Sequence, residues 1–143
     1  MKKQEINVYR EIQHTSESAI KAIEAVSEKV YDDTFAVQMA GESLQLSKIR
    51  NEAVEEMVKA GVDIYHGSYM EDMVMKRNIG YHTLLNTSLS RIAEILINEN
   101  NTGIVSMEKS LNHNDNIGKK PELLARKLID TEEKSIANLR HYL

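Results

Sequence analysis

The chain predicts an all-α fold, a bundle of four long helices with one long crossover. Apolar residues recur at helical spacing through four stretches, and no stretch alternates strictly as a half-buried strand would. Proline occurs once, at Pro121, whereas Glu, Lys, Leu, Ile, Ala and Met, which favour helix, are abundant. The first and last connections are short and the middle one is long, which predicts one crossover rather than a simple up-down order.

Helix one is predicted over residues 4–30. Tyr9, Ile12, Ser16, Ala19, Ile20, Ile23, Val26 and Val30 form one stripe at about 100° per residue. The Tyr31-Asp32-Asp33-Thr34 run breaks that pattern and offers capping oxygens to the next helix. Helix two follows over 33–60, with Phe35, Met39, Glu42, Leu46, Ile49, Ala53 and Met57 inward and Gly61 as its stop.

Residues 62–86 read as the crossover. A short extra helix of about 17 residues would cover roughly 25 Å, enough with its flanks to travel most of a bundle's length. Met70, Met73, Met75, Tyr65, Tyr69 and Tyr81 make this segment rich in adaptable apolar groups. They suggest a cover for the bundle, or a homodimer interface through Tyr69, Met70 and Met73.

Helix three is predicted over 88–113 behind the capping run Asn86-Thr87-Ser88. Leu89, Ile92, Leu96, Glu99, Gly103, Met107 and Leu111 form its inner face. Helix four is predicted over 121–142, opening on Pro121, whose missing N–H costs nothing in a first turn. Leu124, Leu128, Glu132, Ser135 and Leu139 point inward. Glu122–Arg126 and Asp130–Lys134 are i,i+4 pairs on its outer side.

Composition narrows the function. With 143 residues and 41% hydrophobic residues, the chain is one domain, residues 1–143, able to bury a core. It contains no cysteine, which excludes disulfides, thiolate metal sites and thiol catalysis, and fits a cytoplasmic setting. Its formal charge is -4 with both signs interspersed. Without a basic stripe, nucleic acid is not an expected partner. No stretch is apolar enough for a signal peptide or a membrane span. No Gly-rich phosphate loop and no Ser/His/Asp spacing marks a catalytic centre.

Three carboxylates stand out, because burying an unpaired charge is costly. Glu42, Glu99 and Glu132 lie on the inner stripes of helices two, three and four. Each is about nine to eleven residues into its helix, so at 1.5 Å per residue they fall at roughly one level. Glu24 of helix one lands near the same level, at the edge of its stripe. One glutamate per helix at one height is the skeleton of a carboxylate-bridged di-metal site. Such sites also use Glu-x-x-His, and here Gln45, Thr102 and Ser135 stand where the histidines would be. Oxygen ligands alone would favour hard cations such as magnesium, manganese or calcium. The other expectation is a structural network, with the glutamates bonded to Ser16, Ser135, Asn100 or flanking basic groups.

Ser90-Arg91-Ile92-Ala93-Glu94-Ile95-Leu96-Ile97, Asn101-Thr102-Gly103-Ile104 and the run from Leu124 through Glu132-Glu133-Lys134-Ser135 to Leu143 resemble small ferritin-like proteins of unknown function from anaerobic Gram-positive bacteria. The resemblance implies a ferritin-like four-helix bundle. It implies little about activity, since these small relatives mostly lack the complete di-iron ligand set. The leading expectation is thus a non-catalytic binding or structural module without a cofactor. The alternatives are a metal-binding protein for metal handling or oxidative stress, holding iron, manganese or magnesium on Glu42, Glu99, Glu132 and Glu24, and a spore or cell-envelope assembly protein.

Overall fold

The computed structural model describes residues 1–64 and 88–143. The central part of the expected crossover lies outside the described residues, and with it the short extra helix and Tyr69, Met70 and Met73. Four long helices make up the rest: α1 (Lys3–Ser27), α2 (Asp33–Lys59), α3 (Leu89–His113) and α4 (Lys119–Leu139), followed by a single 3-10 turn, Arg140–Tyr142. Among the described residues there is no strand.

The helix ends follow local chemistry. Asp32 caps α2 by accepting from the Phe35 N–H at 2.8 Å, and Ser88 caps α3 by accepting from the Arg91 N–H at 3.2 Å. Each satisfies a donor that the first turn leaves orphaned. α2 stops at Gly61, whose φ of 72° suits glycine. α1 ends at Ser27 rather than 30. Lys29 and Val30 bond back to the carbonyls of Val26 and Ser27 at 2.9 and 3.2 Å, a tight three-residue spacing that closes the helix early. α4 starts two residues before Pro121, which still falls in the first turn where no intrahelical acceptor awaits its nitrogen. At its far end the 3-10 turn brings Tyr142 edge-on to Phe35, with ring centroids 4.6 Å apart and planes at 84°, a favoured aromatic geometry.

Side-chain bonds reveal the helix directions. Asn7, early in α1, donates to Asn114 just past α3 at 3.0 Å. Lys120, early in α4, donates to Glu56 late in α2 at 2.6 Å. Asn100 in mid-α3 reaches Ser135 late in α4 at 3.0 Å. Neighbouring helices are therefore antiparallel, and α2 and α3 stand at opposite corners, their backbones apart and only their inward side chains meeting across the centre. α2 ends, and α3 begins, at opposite ends of the bundle.

The predicted stripes form the core. Ile12, Val26, Phe35, Leu46, Ile49, Met57, Ile92, Met107 and Leu128 are fully buried in one cluster. Each such side chain contributes roughly 1.5–3 kcal/mol on leaving water. The outer pairs of α4 also form, Arg126–Glu122 at 3.4 Å and Lys134–Asp130 at 2.9 Å.

Candidate functional site

The apolar core is interrupted by a polar centre where α2, α3 and α4 face one another. Each helix supplies an inward residue from its apolar stripe: Glu42 from α2, Glu99 and Asn100 from α3, and Glu132 and Ser135 from α4. The i,i+3 spacing of Glu132 and Ser135 puts both on one face of α4, and both are buried. Ser135 donates its hydroxyl hydrogen to Glu42 Oε2. It accepts in turn from Asn100 Nδ2 at 3.0 Å, and that amide also lies 3.5 Å from Glu42 Oε1. Three helices are thus tied by one small network. Glu42 is half-buried. Burial raises its carboxyl above the usual range, and the bonds from Ser135 and Asn100 oppose that rise.

Glu132 is different. It is 1% exposed, and neither carboxylate oxygen has a hydrogen-bond partner among the described residues. Its carboxyl is pushed up to about 9, first by burial and then by the charges of Glu42 and Glu99. Ionising it would place an unpaired charge in a low dielectric beside two like charges, so it holds its proton at neutral pH. Glu99, half-buried on α3, is raised by burial, and the His14 charge opposes this.

Room for the Glu132 carboxyl comes from Gly103. A Cβ built there would collide with the carboxyl, lying 2.8 Å from Oε1 and 3.0 Å from Cδ. The glycine therefore makes a notch in α3 that the glutamate fills. Sequence reasoning placed Gly103 on the inner face but missed this role. The available signal was a helix-weakening residue on an inward stripe opposite a large polar side chain.

The expected residues are only partly brought together. Glu42, Glu99 and Glu132 do converge, close enough for the first two to shift the third. Glu24 does not join them. It lies exposed on α1, because that turn points Ala22, Ile23 and Val26 into the core instead. Ser16 is buried but bonds to its own helix, to the Ile12 carbonyl at 2.7 Å and the Gln13 carbonyl at 3.1 Å. His14, exposed on α1, lies near enough for its charge to act on Glu99. Among the described residues, no three His, Cys, Asp or Glu side chains are arranged to hold a metal ion.

A groove of about 450 Å³ runs between α2 and α4. Phe35, Met39 and Leu139 line its apolar part, and Glu42 and Ser135 connect it to the polar centre. Glu42 is therefore the member of the trio that faces the groove. No helix among the described residues is long and apolar enough to cross a membrane. Comparison with family models, curated proteins and solved structures returned no match, so function rests on the geometry of this centre.

Proposed function

We propose that the chain is a ferritin-like four-helix bundle acting as a non-catalytic binding or structural module. The single observation that carries this reading is the commitment of its polar groups. Ser135 spends its hydrogen on Glu42, Asn100 spends its amide on Ser135, and Glu132 is sealed in the Gly103 notch. A catalytic carboxylate must reach a substrate proton, and Glu132, 1% exposed, reaches none. The ferritin-like topology is supported by the helix directions: α2 ends and α3 begins at opposite ends of the bundle, the placement found in a fold with one crossover. The absence of cysteine fits a cytoplasmic setting.

A second reading is favoured by one observation, the two oxygens of Glu132 that lack a partner among the described residues. Buried polar atoms usually have partners, and a hard divalent cation would supply one, with Glu42 at the groove as its route inward. The donor set is all oxygen and would need to close up around such an ion. Loading the protein with iron(II), manganese and magnesium in turn, with Glu132→Gln alongside, separates the readings. The module reading expects no tightly bound metal in either protein. One or two equivalents in the wild type that vanish in the variant would overturn it in favour of a metal centre.

A further inference from the structure

From Thr34 to Ser47, α2 carries a single charged residue, Glu42, and that one faces the polar centre. The outer side of this stretch is therefore uncharged in a chain that is 28% charged. Val37 and Leu44 stand out on it, 72% and 59% exposed. Ala40 and Gly41 lie between them and are also exposed. At about 100° per residue, Val37, Ala40, Gly41 and Leu44 fall within about 50° of one line. Among the described residues, nothing packs closely enough on α2 to require a glycine at Gly41. A Cβ there would meet nothing within 4 Å among the described residues, yet mid-helix glycine weakens a helix. A glycine kept on an open face suits the close approach of another backbone.

The face is also self-complementary. Val37 and Leu44 are equally far from the Ala40–Gly41 bond, one on each side. Asp33 and Lys48, exposed on the same line, are equally far out. Among the described residues neither takes part in an ion pair within the chain. In an antiparallel pair of α2 helices crossing at Ala40–Gly41, Val37 of each copy meets Leu44 of the other, and Asp33 meets Lys48. A two-fold interface requires this reciprocity, in which residue i contacts j and j contacts i.

We propose that the outer face of α2 is a homodimer interface, two copies packing antiparallel about Ala40 and Gly41 with reciprocal Asp33–Lys48 pairs at its ends. This gives the binding-module reading a partner. The test leaves Glu132 untouched, so failure here and failure of that reading stay distinguishable.

Sedimentation velocity across a concentration series tests the interface on the full chain, with circular dichroism to verify folding. A monomer–dimer equilibrium is expected for the wild type. Leu44→Glu should weaken it roughly hundredfold, since a charge then enters the centre of the contact. Lys48→Asp should weaken it several-fold by setting like charges opposite each other. Adding Asp33→Lys to Lys48→Asp should restore it, which only reciprocal pairing allows. A wild type that stays monomeric at every concentration overturns the proposal. So does a dimer indifferent to Leu44→Glu, which would place the contact elsewhere, or charge swaps that fail to rescue.

Discussion

Gly103 and Gly41 both interrupt long helices, where glycine costs about 0.5–1 kcal/mol relative to alanine. Around Gly103 the missing side chain is filled from within, by the Glu132 carboxyl. Around Gly41 nothing among the described residues comes within 4 Å of a Cβ. The two look alike as sequence, each a glycine in the interior of a long amphipathic stretch. Packing makes them opposites. One is a notch that lets a large acid be buried, and the other is an open spot on an uncharged face. A glycine in a helix is explained by what occupies its vacancy, and that occupant belongs to another helix or to another molecule.

The inner region should show the largest effect, through pH. The folded Glu132 carboxyl stands at about 9, far above its unfolded value near 4.3. Between these values the folded chain binds a proton that the unfolded chain does not. Stability is therefore fully present below the unfolded value and falls as pH rises, by roughly 1.4 kcal/mol per pH unit for one proton. Glu42 and Glu99 are raised too and act in the same direction. Urea unfolding from pH 5 to 9 should show a loss of several kcal/mol, and Glu132→Gln should remove most of the slope. A slope unchanged in that variant would assign the titration to another group.

A smaller effect tests the notch itself. Gly103→Ala should destabilise by about 1–3 kcal/mol, because overpacking displaces the carboxyl from its seat. In a Glu132→Ala background the same change should reverse sign, since only the gain in helix propensity remains. A double-mutant cycle by urea denaturation measures this coupling. Additive effects would mean that the two side chains adjust independently.

The smallest effect belongs to the outer glycine. In dilute solution, below the dimerisation range, Gly41→Ala should raise stability by about 0.5–1 kcal/mol. In concentrated solution it should weaken self-association. A destabilised dilute protein would show that Gly41 is constrained by its own bundle after all, and would remove the contrast with Gly103.

Much of the bundle was legible in the order of residues. Phe35, Leu46, Ile49, Met57, Ile92, Met107 and Leu128 could be placed because helical periodicity and burial are one signal read two ways. The capping runs that contain Asp32 and Ser88 could be placed because short polar side chains serve donors only three residues away. The convergence of Glu42, Glu99 and Glu132 followed from counting residues along helices of fixed rise. Partners were harder to read. Ser16 looked as available as Ser135, but its hydroxyl turns to its own backbone, while Ser135 meets Glu42 across the interface. Glu24 shared the level of the other glutamates, but it lies about 100° around α1 from buried Ile23, on the side that faces water. His14 lay outside the expected centre because its effect on Glu99 crosses between helices.

Sequence alone determined the helices, their inward faces and the height at which acids enter the core, since local geometry sets all of these. Only the tertiary structure decided which acid is tied to a serine, which is sealed in a glycine notch, and which glycine is left open. Those outcomes depend on the rotation and approach of helices far apart in the chain, where a shift of a few ångströms separates a bonded carboxylate from a neutral one.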